Sequence, residues 1–210
     1  MKVFLYILDT MADWEIAFLT AELASGRFFK KGIAPVEIVR VGASLAPVIS
    51  MGGWRLVPDA VFDGDVVGDD DILVLPGSVK WLEEGQRAVL LYAKERIARG
   101  GRVAAICDAT TGLASVGALD AVPHTSNGKG YLQMMCPAYR GESNYVDKPA
   151  VSSGSLITAS GLAPVEFTRE VLAALGVLTP KALDAWYGLF TLREERFMYE
   201  LLGEVGEPSA

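Results

Sequence analysis

Cys107 is the residue of this chain best placed to act as a nucleophile. It closes the apolar run RVAAIC (102–107), and DATTGLASVGAL (108–119) follows without a break. The first segment is a short apolar run of strand type. The second offers small residues, Asp108 as a first-turn acid and no proline, which suits a helix. A strand that ends on a cysteine and turns straight into a helix has the sequence shape of a nucleophile elbow. The thiol would lie at the carboxyl edge of a sheet, where open α/β sheets bind ligands, and would face the positive end of a helix. Such a position stabilises thiolate and lowers a cysteine pKa from about 8.5 into the range of roughly 3.5–7.5. The competing reading is packing, because free cysteine is among the most buried residue types. Its place at the end of a strand favours function.

Three further groups fall near the same edge. Glu15 follows the first strand by a short loop, with Phe18 and Leu19 one turn ahead on the same helix face. Desolvation would raise its pKa and let it hold a proton for the thiolate, whereas an ordinary first-turn acid would simply be solvated and favoured by the helix dipole. LPGS (75–78) ends another strand, and Gly77 allows a tight turn that presents amides. The amides of Gly77 or Ser78, with that of Asp108, would form an oxyanion hole beside Cys107; taken alone, such a Pro-Gly step is just a turn. His124 is the single histidine, so any cysteine–histidine mechanism must use it, although a lone loop histidine is more often a surface residue. Asp108 itself has two possible orientations. Pointing at Cys107 it would raise the thiol pKa by like-charge repulsion, and capping its own helix it would leave the thiol alone.

The elements that must position these groups alternate. Apolar runs VFLYIL (3–8), VEIVRV (36–41), DILVLPG (71–77), RVAAIC (102–107) and LITASG (156–161) are interleaved with helical patterns over about 13–25, 83–99, 108–118 and 165–175. This order predicts a parallel sheet with helices on both faces, its strands apolar at consecutive positions because both sides are covered. Leu90, Ala93 and Ile97 share a helix face, and Gly100-Gly101 ends that helix. Residues 46–62 read as a short hairpin or irregular excursion, and 120–155 as loops with two minor strands. Beyond Pro180 one or two terminal helices are expected, with Trp186, Leu189, Phe190 and Phe197 as core or dimer contacts.

Composition bounds the rest. With 210 residues, 51% hydrophobic and 21% charged, the chain suits one domain over 1–210, its core about 1–176 and a helical extension about 180–205. A net charge of -7 with scattered basic residues argues against nucleic acid. The opening MKVFLYILDT is interrupted by Asp9, Asp13 and Glu15, unlike a secretory or spanning segment, so no membrane partner is expected and a cytoplasmic location is. Cys107 and Cys136 show no disulfide framework, and one histidine leaves too few soft ligands for a metal site. No cofactor is expected either.

Taken together, Glu15 in ADWEIAF, DILVLPGS, AAICDATTGLASVGAL, HTSNG and the tail YVDKPAVSSGSLITASGLAPVEFTREVLAAL resemble the ThiJ/PfpI family of the class I glutamine-amidotransferase-like superfamily, over about residues 1–176. The resemblance implies a flavodoxin-like three-layer sandwich, a homodimer, a reactive elbow cysteine at Cys107, a supporting acid at Glu15 and an oxyanion glycine at Gly77. The departures matter as much. Proteases of the PfpI type carry a histidine directly after the cysteine, where this chain has Asp108. Other members carry a histidine where this chain has Asn127, a position beside the substrate, so His124 falls three residues early. Glutamine amidotransferases take a histidine and a glutamate just after the last core strand, and Ala163-Pro164-Val165-Glu166 does not supply them. Protease and amidotransferase activity are therefore disfavoured.

Two readings of different kinds remain. One is an enzyme that uses Cys107 on a small carbonyl, amide or nitrile-like substrate, of hydrolase, hydratase or glyoxalase/deglycase type. The other is a redox sensor or stress-protective protein whose partner is an oxidant and whose Cys107 is held as a sulfinate. A scaffold that keeps the fold without chemistry is the third possibility.

Overall fold

The structure, a computed structural model, describes residues 1–205. Its strands are β1 (Lys2–Tyr6), β2 (Glu37–Gly42), β3 (Val48–Ile49), β4 (Arg55–Leu56), β5 (Ala60–Val61), β6 (Ile72–Leu75), β7 (Arg102–Ile106), β8 (Ala150–Ser153) and β9 (Leu156–Ala159). Seven of them form one sheet in the order β5-β2-β1-β6-β7-β9-β8, parallel throughout except for the β8–β9 pair. Inside it, β2-β1-β6-β7-β9 is the strand order of a flavodoxin-like sheet. The strands β6 and β9 are buried at every position, and β1 and β7 at all but the first. Consecutive apolar residues are stable there because helices exclude water from both faces.

The helices are α1 (Asp13–Ser25), α2 (Arg87–Ala98), α3 (Ala109–Ser115), α4 (Tyr131–Met135), α5 (Pro164–Leu175), α6 (Pro180–Leu192) and α7 (Arg196–Val205). Parallel neighbours need right-handed crossovers. The β1-α1-β2 unit winds one way and β6-α2-β7 the other, so α1 and α2 cover opposite faces. Helix α5 packs beside α1 and against β8 and β9, while α2 packs on β7 and α3. The strand order reverses between β1 and β6. At the carboxyl edge around that reversal, the segments leaving β1, β6 and β7 carry Glu15, Gly77 and Cys107.

Several elements differ from the sequence reading. The excursion at 46–62 contains the β3–β4 hairpin, but its last residues return as β5 to the edge of the main sheet, beside β2. The region 120–155 holds one strand, β8, and the helix α4, where two minor strands were expected. A single turn of 3-10 helix at Glu84–Gln86 precedes α2, so the helix expected from 83 starts at Arg87. The terminal segment forms two helices, with Trp186 fully buried against Phe18 and Phe190. No helix among the described residues is long and apolar enough to cross a membrane.

Arg96 fixes where two central strands begin. Fully buried, it donates from Nε to the Arg102 carbonyl (3.1 Å), from Nη1 to that of Val67 (3.2 Å), and from Nη2 to those of Gly68 (2.8 Å) and Asp71 (2.7 Å). One guanidinium thus ties the loop before β6 to the first residue of β7. Arg96→Met keeps an unbranched apolar stem and leaves those carbonyls without their donor. A loss of about 3 kcal/mol or more in urea unfolding is expected; a loss below about 1 kcal/mol would show that water replaces the guanidinium and that the strands set their own starts.

Candidate active site

The elbow forms as the sequence implies. Cys107 has φ of +59°, a left-handed conformation uncommon outside glycine, with a typical strain of about 1–3 kcal/mol. The surroundings hold it there. Its N–H donates to the Ala159 carbonyl (2.9 Å), and its carbonyl accepts from Thr110 N–H (3.0 Å) and Thr110 Oγ1 (2.6 Å). The turn lifts the side chain off the strand and starts α3 two residues later.

Glu15, in the first turn of α1, is fully buried. Its Oε2 accepts the Gly77 N–H at 2.6 Å, whereas Oε1 has no partner of good hydrogen-bond geometry and is faced by the Cys107 thiol. Two glycines make room for this approach. A Cβ at Gly77 would stand 2.6 Å from Glu15 Oε2 and 2.7 Å from Cys107 Cβ; one at Gly161 would stand 2.7 Å from Cys107 Sγ and 3.0 Å from Glu15 Oε1. Burial pushes the Glu15 carboxyl from 4.5 up to about 7, with the Cys107 and Gly77 hydrogen bonds opposing the rise.

Asn127 stands where the resemblance would put a histidine. Its Oδ1 accepts the Gly161 N–H (2.9 Å), which orients the amide so that Nδ2 donates to Cys107 Sγ (3.3 Å) and to Asp108 Oδ1 (3.4 Å). The Tyr131 hydroxyl, on α4, donates to the same Asp108 oxygen. Asp108 does not cap its own helix: its side chain makes no cap bond to α3 and is held by Tyr131 and Asn127, and its charge adds a small upward push to the Cys107 thiol, as the first of the two expectations has it.

Three expectations need correction. His124 is not placed as a base for Cys107. It is fully buried, with Nδ1 on the Val122 carbonyl (2.7 Å) and Nε2 on the Tyr139 hydroxyl (2.6 Å), and burial lowers its pKa. The Gly77 amide is not free for an oxyanion, because Glu15 occupies it. Nor is the thiol lowered by the helix: burial first, and then the charge of Glu15, push Cys107 up to about 12. A seven-residue helix does not outweigh that desolvation.

The remaining groups line a cleft of about 330 Å³ beside the elbow, between Ser78, Val79, Trp81 and Leu82 on one side and Asp108, Thr111 and Met135 on the other. The Ser78 hydroxyl is structural, donating to the Asp9 carbonyl (2.7 Å) and accepting from Lys80 N–H (3.0 Å). The main-chain amides of Ser78 and Asp108 donate to no group among the described residues. They are the available oxyanion donors. Sequence reasoning missed Tyr131 and Gly161. A glycine just past the last core strand in LITASG was a usable signal for the second; α4 gave none. No cluster of three or more metal-ligating side chains occurs among the described residues.

The DJ-1/PfpI family model matches residues 1–174. A relative from Bacillus subtilis, "Uncharacterized protease YoaZ", is 41% identical over 97% of both chains. Among solved structures, a thiJ/pfpI family protein from Bacillus anthracis is 44% identical, with a TM-score of 0.94 over 97% of this chain and 96% of its own. A DJ-1 superfamily protein from Agrobacterium tumefaciens is 35% identical, with a TM-score of 0.75 over 92% of this chain and 98% of its own.

The raised Glu15 pKa has a definite sign for stability. Below about 4.5 the carboxyl is protonated in both folded and unfolded chains and costs nothing. As pH climbs to about 7 the unfolded chain releases its proton first, so folding loses about 3 kcal/mol and then levels off. Urea unfolding of the wild type and Glu15→Gln across pH 4–8 is expected to show this component only in the wild type. Equal pH slopes in the two proteins would refute the burial argument.

Proposed function

The chain belongs to the DJ-1/PfpI family, and within it we propose that this protein is a cysteine-dependent enzyme acting on a small carbonyl, amide or nitrile-like substrate, with Glu15 as the proton acceptor for Cys107. One observation carries the reading: a fully buried carboxyl, its pKa near neutrality, turns an unpartnered oxygen toward the thiol. No other ionisable base contacts the sulfur among the described residues, and Asn127 donates to it without being able to take its proton.

In this mechanism the thiol is protonated at rest, because the Glu15 carboxylate and burial both oppose a second negative charge. As sulfur attacks the electrophilic carbon, its proton passes to Glu15 Oε1. That transfer removes the repulsion at the moment the S–C bond forms. The π electrons of the carbonyl or nitrile move onto its heteroatom, where the amides of Ser78 and Asp108 supply hydrogen bonds. Glu15 then returns the proton to the heteroatom or leaving group, and neither proton transfer needs a histidine. What weighs against chemistry of the PfpI protease type is the residue directly after the cysteine, which is Asp108 where that type carries a histidine, while His124 is committed to Val122 and Tyr139.

A second reading is favoured by Glu15 Oε1 and Asn127 Nδ2 converging on the sulfur. A peroxide would convert the thiolate to sulfenate with release of water, and a second equivalent would give the sulfinate, which protonated Glu15 and Asn127 would hold by hydrogen bonds.

Small α-oxoaldehydes, primary amides and nitriles form the substrate panel. Turnover of at least one is expected, abolished in Cys107→Ala and reduced about 10²–10⁴-fold in Glu15→Gln, with the rate rising through pH 7 in the wild type only. Activity that survives Cys107→Ala would overturn the enzyme reading. An inert panel, together with stoichiometric conversion of Cys107 to sulfinate by peroxide in the wild type and a slower conversion in Glu15→Gln, would instead establish the redox reading.

A further inference from the structure

The cleft beside the elbow combines two features that point to a ligand. Asp108 Oδ1 carries both of its donors, Tyr131 and Asn127, while no group among the described residues donates to Oδ2. Thr111, only 2% exposed, lines the same cleft with an Oγ1 that has no hydrogen-bond partner. The walls opposite are Trp81 and Leu82, and no lysine or arginine contributes to the lining. A carboxylate that two donors fix in one place, with one oxygen left over, is a recognition group in search of a donor. The Thr111 hydroxyl, buried without a partner on a residue of the same lining, is a second polar group that a bound molecule could satisfy.

We propose that Asp108 determines substrate specificity: with Thr111 it forms a subsite that accepts small molecules bearing an ammonium or hydroxyl group next to the carbon attacked by Cys107, and that excludes carboxylate-bearing ones. The inference rests on the enzyme reading above and narrows its substrate class. Because Asp108 directly follows the nucleophile in the chain, whatever it binds is set within one residue of the reacting sulfur. The apolar walls favour a short aliphatic or flat group for the remainder of the molecule. Tyr131 is then a positioning residue, since its hydroxyl holds the carboxylate rather than the substrate.

The test uses three thiol probes that differ in charge: 2-aminoethyl, methyl and 2-sulfonatoethyl methanethiosulfonate, which are cationic, neutral and anionic. Each forms a mixed disulfide as the thiolate attacks its sulfur and methanesulfinate departs. Rates at Cys107 are read by peptide mass spectrometry in the wild type, in Asp108→Asn, which keeps the Tyr131 and Asn127 contacts, and in Asp69→Asn, which removes the same charge from the exposed loop before β6. The ratio of cationic to anionic rates is expected to fall about tenfold in Asp108→Asn and to stay within twofold in Asp69→Asn. The neutral probe corrects for any change in the thiol itself. A ratio that is unchanged in Asp108→Asn, or that falls equally in both variants, overturns the subsite while leaving Cys107 a nucleophile. Failure of all three probes to label Cys107 in the folded wild type overturns the enzyme reading with it.

Discussion

The site depends on one buried carboxyl group being shared between a backbone amide and a thiol. Glu15 has no water to satisfy it, so its two oxygens must find partners from other elements. Gly77 supplies one from the end of β6, and Cys107 faces the other from the end of β7. That meeting needs β1, β6 and β7 in fixed register, which the pairings Leu5 with Val74 and Leu75 with Ala105 provide. A strand slipped by one residue would turn its whole apolar set to the other face, so the same packing that drives folding also locks the chemistry in place.

The absence of a histidine at the sulfur changes how the thiol is managed. A cysteine–histidine pair stores a thiolate because the imidazolium is positive. Here the partner acid is negative when empty, so the pair carries a single charge and cannot hold a thiolate and a carboxylate together. In the proposed mechanism, activation is confined to the instant when Glu15 takes the proton. Asn127 suits this arrangement: it is fixed by the Gly161 N–H, gives the sulfur a hydrogen bond and remains neutral throughout.

Much of this was legible in the sequence, and the reasons for the rest are physical. The alternation of buried runs and helices named the sheet, and the strand-to-helix step at Cys107 named the elbow, because both depend on local pattern. Glu15 and the Gly77 turn followed from being one loop beyond a strand end. Depth was not legible. Whether the helix dipole or desolvation controls Cys107 depends on how much protein closes over it, and His124 owes its burial to Tyr139, fifteen residues on. Tyr131 was hidden for a different reason: a five-residue helix has too little periodicity to stand out from the loops around it.

The division of labour between strands and loops bears on what family membership can imply. Gly77 and Gly161 lie just past the ends of central strands and leave no room for a Cβ beside Glu15 and Cys107. The residues that would meet a substrate come instead from the segment after β6 and from α3 and α4, where Val79 and Leu82 are exposed and Met135 is partly so. Loops of this kind change readily while the strands beneath them do not. A shared core therefore fixes the scaffold among relatives without fixing the substrate. Asp108 straddles that boundary, with its backbone in the elbow and its carboxylate in the cleft. It is the point where the geometry of the fold would meet the substrate of the proposed reaction.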